Sequence, residues 1–115
     1  MSKVVWKFPL HPSKDDRGLC EIEMPGGAEV LTVSGQTGEP CLWALVELDA
    51  EGDPLPKRKR VFCVVGTGYE GPNDLTAENY VGTFFTTFFT PTELVGMALG
   101  LPPVLVYHVF DLGCA

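Results

Sequence analysis

The chain has 115 residues, of which 45% are hydrophobic and 20% are charged, and its formal net charge is −7. This length fits one domain, residues 1–115, and the composition is globular, which argues against global disorder. A net negative chain repels phosphate backbones at long range, so general binding of DNA or RNA is disfavoured.

Alternating or apolar segments separated by glycine and proline turns predict seven short β-strands. The predicted strands are residues 4–10, 20–24, 29–34, 40–48, 61–65, 80–85 and 104–110. Residues 35–38 form a loop too short for a crossover, so the strands on either side of it are expected to pair antiparallel. Within the third strand, strict alternation places Leu31 and Val33 on the same side.

One helix is predicted near the C-terminus, over residues 91–99. Thr90 can cap it, Pro91 suits the first helical position, Glu93 completes a capping box, and Gly100 suits the left-handed end position. The fold class expected from these elements is mainly β: a single-domain antiparallel sandwich or barrel of seven strands with one short helix near the C-terminus.

The cysteines and the apolar segments predict a cytoplasmic protein that does not enter the membrane. No Cys-x-x-Cys pair occurs, so we expect reduced and mostly buried thiols. Residues 1–7 lack the apolar stretch of a signal peptide. The uncharged residues 94–110 just reach the length of a spanning helix, but Pro102 and Pro103 would break it. The cysteines are Cys20, Cys41, Cys63 and Cys114.

No recognisable catalytic group is present, so the sequence predicts no enzyme, no catalytic residue, no metal site and no cofactor. None of the three serines lies in a nucleophile-elbow pattern. The two histidines, His11 and His108, are far apart in the sequence. Alternation places His108 on the face opposite Tyr107 and Val109, where a hydrogen-bonded structural role is expected.

Residues 66–71 read Gly-Thr-Gly-Tyr-Glu-Gly and match the glycine pattern of dinucleotide-binding loops. That pattern needs a helix after the third glycine, but residues 72–74, Pro-Asn-Asp, favour a turn. A tight turn or a bulge with positive φ is therefore the favoured interpretation. Its backbone N–H groups and ring, near Trp6 or Trp43, also make it a candidate ligand-binding site. The candidate residues are Gly66, Thr67, Gly68 and Tyr69.

Residues 57–60, Lys-Arg-Lys-Arg, hold half of the eight basic residues. They could contact phosphates or an acidic partner. The favoured interpretation is a solvated entry to a strand, balanced by acidic residues of the preceding segment. If the two segments form a hairpin, their charges face one another across it. Those acidic residues are Glu47, Asp49, Glu51 and Asp53.

Residues 83–90, Thr-Phe-Phe-Thr-Thr-Phe-Phe-Thr, form the most unusual stretch. Its rings either fill the core and lie beneath the following helix, or one side of the segment forms an oligomer or partner interface. The candidate interface residues are Phe84, Phe85, Phe88 and Phe89.

Six short phrases, taken together in this order, resemble a family of small uncharacterised proteins of tailed phages, prophages and bacteria. The resemblance spans most of the chain and weakens between Phe85 and Pro103. It implies a phage-type accessory protein with an all-β core, and it transfers no active-site residue. The phrases are Trp6-Lys-Phe-Pro-Leu10, Met24-Pro-Gly-Gly-Ala-Glu-Val-Leu31, Pro40-Cys-Leu-Trp-Ala-Leu-Val46, Val65-Gly-Thr-Gly68, Tyr80-Val-Gly-Thr-Phe84 and Val106-Tyr-His-Val-Phe110.

Two functions from different classes remain open at this point. The first is a non-enzymatic phage-type accessory protein that binds a host or defence protein, another phage protein or a second copy of itself. The alternative is a small-ligand binder, for example a protein that sequesters a signalling nucleotide.

Overall fold

Seven β-strands run through the residues that the computed structural model describes, which are 2–11, 18–36, 39–86 and 105–114. All seven predicted strands are present, although β5 begins four residues earlier than predicted and β7 ends four residues later. The predicted helix over residues 91–99 lies outside the described residues. The strands are β1 (Lys3–Pro9), β2 (Leu19–Pro25), β3 (Glu29–Gln36), β4 (Glu39–Glu47), β5 (Lys57–Gly66), β6 (Tyr80–Thr86) and β7 (Leu105–Cys114).

The strands form two antiparallel sheets. One sheet has three strands in the order β1-β4-β3, and the other has four in the order β2-β5-β7-β6. The expected antiparallel pairing of β3 with β4 is confirmed. The two inner faces enclose the core, so the predicted fold class, a mainly β antiparallel sandwich of seven strands, is confirmed as well.

The core consists of side chains that alternate inward along the strands of both sheets. Leu42 and Val46 of β4 are fully buried, and so are Phe62 of β5 and Val109 of β7. Because successive side chains of a strand point to opposite faces, every second residue of these strands meets the other sheet. This alternation is why so short a chain can build a core without disulfides.

A β-bulge in β3 changes which side chains face the core. Val30 pairs with Ala44 and Thr32 with Trp43, which leaves Leu31 as the extra residue of the bulge. Leu31 is 49% exposed, whereas Val33 is buried. The expectation that Leu31 and Val33 share a side was therefore wrong, because the bulge shifts the alternation by one residue.

The two sheets approach most closely where β3 runs beside β6. A Cβ atom on Gly82 would lie 3.1 Å from Cγ1 of Val33, and one on Gly35 would lie 3.0 Å from the carbonyl oxygen of Phe85. Both distances are shorter than ordinary contacts of a Cβ atom. Glycine at these two positions allows the edges of the sheets to come together.

The basic run of β5 does not face the acidic segment that precedes it. β5 pairs with β2 and β7, whereas β4 belongs to the other sheet, so the hairpin with the preceding segment is absent. The predicted solvated entry to a strand is confirmed, because residues 57–59 begin β5 and are exposed. Lys59 instead forms an ion pair with Glu21 of β2 at 3.4 Å, and Arg60 pairs with Asp111 of β7. The partners of these basic residues come from sheet topology and not from sequence proximity.

The described part of the chain contains one helical turn, a 3-10 turn at Ala77–Asn79. Thr76 caps this turn, since its hydroxyl oxygen accepts from the backbone N–H of Asn79. No helix among the described residues is long and apolar enough to cross a membrane. Of the uncharged segment 94–110, the residues from Leu105 onward belong to β7.

Candidate functional site

The predicted ligand-binding residues form a tight turn where β5 ends. The backbone N–H of Tyr69 donates to the carbonyl oxygen of Gly66 at 3.1 Å, and Gly68 has a φ of +87°. Such a positive φ at the third position of a four-residue turn favours glycine. Thr67 fastens the turn to the sheet, because its N–H donates to the carbonyl oxygen of Val106 at 3.1 Å. The favoured interpretation of this segment, a tight turn or a bulge with positive φ, matches the geometry.

His108 lies between two threonine hydroxyls on the outer side of the four-stranded sheet. Its Nε2 atom is 2.8 Å from Oγ1 of Thr67, and its Nδ1 atom is 2.9 Å from Oγ1 of Thr83. Thr83 also shares a hydrogen bond with the Tyr80 hydroxyl. A neutral imidazole has one donor and one acceptor nitrogen, so one threonine donates to the ring and the other accepts from it. The structural role expected for His108 agrees with these contacts.

Nucleophilic catalysis by a hydroxyl commonly uses three groups: the nucleophile, a base and a residue that orients the base. A hydroxyl beside an imidazole supplies the first two. In the catalytic version of this arrangement a carboxylate orients the ring and stabilises its charged form. Among the described residues, the second partner of His108 is a hydroxyl, that of Thr83, and no hydrogen bond joins the ring to a carboxylate. The two threonine contacts orient His108 and hold the turn against β7.

The structure separates the two described members of the predicted aromatic interface. Phe84 is 5% exposed, and its ring stacks on that of Tyr107 at 5.5 Å between centroids. Phe85, on the other face of β6, is 63% exposed. Phe84 is thus a core residue and is not available to a partner, whereas Phe85 is. Phe88 and Phe89 lie outside the described residues.

Phe85 belongs to a continuous uncharged surface on the side of β6 and β7 that faces away from the core. Pairing in the sheet places Tyr80 opposite Phe110, Thr83 opposite His108, and Phe85 opposite Val106. None of these six residues is Asp, Glu, Lys or Arg, and the Tyr80 and Phe110 rings meet edge to face at 5.6 Å. The name β6–β7 outer face refers below to Tyr80, Thr83, Phe85, Val106, His108 and Phe110.

The neighbouring part of this outer side, along β5, is covered by the chain that follows the turn. Gly71 lies against Val65, since a Cβ atom on Gly71 would be 3.1 Å from a methyl group of Val65. Cys63 is buried, and burial, with a smaller contribution from the charge of Asp74, raises the pKa of its thiol. Among the described residues, this segment covers the outer side of β5 at Cys63 and Val65 and stops short of the exposed Phe85 and Tyr80 of β6.

The sequence matches the model of a domain of unknown function, DUF7352, over residues 1–113. The chain belongs to this family. No curated protein and no solved structure matches it significantly.

In this DUF7352 chain none of the four cysteines forms a disulfide; Cys20, Cys41 and Cys63 are buried, and Cys114 is exposed. The expectation that most thiols are buried is confirmed. Burial raises the pKa of the Cys20 thiol, and a backbone hydrogen bond from His11 lowers it by a smaller amount. Within the described ranges no three His, Cys, Asp or Glu side chains lie close enough together to hold a metal ion.

The DUF7352 chain also has a cleft that sequence patterns did not reveal. It encloses about 410 Å³ at the edge of the sandwich where β2 ends and β5 begins. The only signal in the sequence was the basic run itself, and nothing in it indicated which of its members face a cleft. The name Arg58 cleft refers below to this space, whose main lining residues are Met24, Gly26, Leu55, Pro56, Arg58 and Arg60.

Proposed function

We propose that this protein is a non-enzymatic accessory protein that acts through protein–protein interaction at the β6–β7 outer face. One observation carries the proposal: Phe85 is 63% exposed on an uncharged surface of a chain whose net charge is −7. Exposed aromatic side chains on uncharged surfaces are typical of binding sites rather than of ordinary solvated faces.

The exposed rings of this face can supply a useful part of a binding free energy. Complete burial of a phenylalanine contributes about 1.5–3 kcal/mol, so covering the exposed part of Phe85 would contribute about 1–2 kcal/mol. Tyr80 is 45% exposed and its hydroxyl already has a partner in Thr83, so covering its ring leaves no unsatisfied polar group. Aromatic residues of this kind dominate many measured interfaces.

The surroundings of the face favour a partner with an apolar centre and a basic rim. A cleft of about 420 Å³ adjoins Tyr80 and is lined by Leu31, Glu78 and Asp111 among others. Asp111 already pairs with Arg60, whereas Glu78 is exposed. An acidic chain attracts a basic surface at long range, which raises the rate of encounter more than the affinity.

The resemblance to small phage and prophage proteins supports a phage-type accessory role in the cytoplasm of a host cell. The partners that fit this role are a host or defence protein, another phage protein or a second copy of the chain. All of them would be recognised by the same uncharged face, so one experiment addresses them together.

The test replaces Phe85 with a photo-crosslinking amino acid in the cell that naturally contains the protein, with the same replacement at Val5 as the control. Val5 is 53% exposed on the outer side of the three-stranded sheet, so both positions are open to solvent. A specific partner should be crosslinked from position 85 and not from position 5. Its affinity for the purified chain should fall about tenfold in Phe85→Ser and little in Val5→Ser.

Equal crosslinking from both positions, or unchanged affinity in Phe85→Ser, would contradict the proposal. Sedimentation of the purified chain addresses the case of a second copy. Self-association that persists in Phe85→Ser would place that contact on another surface.

The alternative function, binding of a small ligand such as a nucleotide, is favoured by the turn that contains Thr67 and Tyr69. Tyr69 is 78% exposed and offers a ring for stacking, while the Thr67 hydroxyl and His108 offer polar groups. Against this, the turn lines neither of the two clefts described above. A nucleotide bound here must raise the thermal stability of the chain, and Tyr69→Ala must abolish that increase.

A further inference from the structure

We propose that the Arg58 cleft is a binding site for a small organic anion. Its phosphate or carboxylate group would meet the Arg58 guanidinium, and its apolar part would lie on Leu55 and Pro56. This site is separate from the β6–β7 outer face and goes beyond the proposed function.

The position of the cleft follows from the way the strands alternate. Met24 pairs with Arg58 across β2 and β5, and the buried Met24 fixes which side of the sheet is the inner one. Arg58 and Arg60 therefore extend on the inner side, at the end of the sandwich, whereas Lys59 extends on the outer side. The volume of about 410 Å³ lies within the range of roughly 300–1,000 Å³ that small-molecule sites occupy.

The two arginines of the cleft have different roles. Arg60 is held by Asp111 and donates to the carbonyl oxygen of Ala28, so its charge is neutralised and its position is fixed. Arg58, by contrast, forms no ion pair with any described residue. Its planar guanidinium can therefore bind a planar oxyanion with two parallel hydrogen bonds.

The walls of the cleft supply apolar surface and an open entrance. The apolar surface is that of Leu55 and Pro56, from the loop before β5, and the fully buried Met24 closes the cleft toward the core. Gly26 and Gly27 add no side chain: a Cβ atom on Gly26 would lie 3.4 Å from the carbonyl oxygen of Pro56 and 3.9 Å from Nε of Arg58. A side chain at position 26 would therefore grow into the cleft beside the guanidinium.

The charged residues around the cleft favour an anionic ligand over a cationic one. A carboxylate oxygen of Glu47 lies 3.7 Å from where a Cβ atom of Gly27 would be. Glu47 is not among the residues that line the cleft, and Asp111 is occupied by Arg60. Among the described residues that line the cleft, Arg58 is therefore the charged side chain without an ion-pair partner.

The experiment is a titration of the full chain with phenyl phosphate, benzoate and inorganic phosphate, followed by ¹H–¹⁵N NMR. Phenyl phosphate and benzoate should cause saturable shifts at Gly26, Gly27 and the Arg58 side chain. Inorganic phosphate should bind more weakly, since it has no apolar part to lie on the cleft wall. The comparison of phenyl phosphate with benzoate shows which oxyanion the site prefers.

Two substitutions that remove the same charge from neighbouring positions provide the matched control. Arg58→Gln should weaken binding of phenyl phosphate about tenfold, whereas Lys59→Gln should change it less than about twofold. Leu55→Glu, which adds a carboxylate at the cleft, should abolish binding by repulsion. The same spectra show that each variant is folded.

The absence of saturable shifts up to about 10 mM phenyl phosphate would overturn the proposal, because a site of this kind binds at least in the millimolar range. Equal losses in Arg58→Gln and Lys59→Gln would also overturn it, since they would show attraction by the general basic charge of the strand. The crosslinking experiment at position 85 does not depend on anion binding. Failure of this proposal is therefore distinguishable from failure of the proposed function.

Discussion

The ion pair between Arg60 and Asp111 allows a sharp test of how burial sets the strength of an electrostatic contact. The two side chains are only 17% and 19% exposed, and Arg60 also donates to the carbonyl oxygen of Ala28 next to β3. The pair thus holds β5 to β7 and ties the four-stranded sheet to the segment that enters the other sheet. Asp111→Asn removes the negative charge and keeps an oxygen that can accept from the N–H of Gly113.

The expected cost of Asp111→Asn is about 2 kcal/mol of unfolding free energy. This value lies between the 0–1 kcal/mol of exposed pairs and the roughly 3–5 kcal/mol lost when one partner of a fully buried pair is removed. With a urea m-value of about 2 kcal/mol/M, the midpoint of unfolding should fall by roughly 1 M. The measurement is urea denaturation followed by circular dichroism, with the m-value unchanged.

Glu21→Gln is the matched control in the same sheet. It breaks the ion pair between Glu21 and Lys59, whose two side chains are 58% and 53% exposed, respectively. The loss of unfolding free energy should therefore stay below about 1 kcal/mol. If Asp111→Asn costs no more than Glu21→Gln, the argument from burial is refuted. A lowered m-value would instead show that the substitution changes the native or the unfolded state as a whole.

Three further predictions concern packing, thiol reactivity and the histidine contacts. Gly82→Val should lower the unfolding free energy, measured by urea denaturation, by about 1–3 kcal/mol, because the new side chain would overlap that of Val33. Unchanged stability would show that the two sheets can move apart at this point. Iodoacetamide at pH 8 should label the exposed Cys114 well before Cys20, because the buried Cys20 thiol has a raised pKa and stays protonated to a higher pH. Equal labelling rates of the two cysteines by mass spectrometry would contradict this. His108→Ala should lower the unfolding free energy, measured in the same way, by about 1 kcal/mol or less, since the hydroxyls of Thr67 and Thr83 can bond to water instead. A loss above about 2 kcal/mol would show that His108 has a larger structural role.

The strands could be predicted because each carries its signal within a few neighbouring residues. The alternation of Cys20–Met24 and the apolar run before Gly66 are local patterns, and the glycines and prolines between them mark turns. The bulge at Leu31 could not be predicted in the same way. It depends on how β3 meets β4 and β6, and nothing within β3 itself distinguishes it from a regular strand.

The candidate site was accessible from the sequence only in part. The turn at Gly66–Tyr69 was visible as a glycine pattern, but its contact with His108 joins residues 41 positions apart in the chain. The basic run was visible too, although its charge partners were assigned to the wrong segment, because sequence proximity suggested a hairpin. β4 and β5 are in fact separated into different sheets.

The sequence by itself determined that this is an acidic, mainly β chain of seven strands, because hydrophobic periodicity and turn chemistry act locally. Only the tertiary structure decided which face each aromatic ring occupies and which cations remain uncompensated. Phe84 and Phe85 are identical in type and adjacent, yet one is 5% and the other 63% exposed. That difference arises because pairing of β6 with β7 sets the inner and outer sides of the sheet, and pairing is a contact between distant parts of the chain.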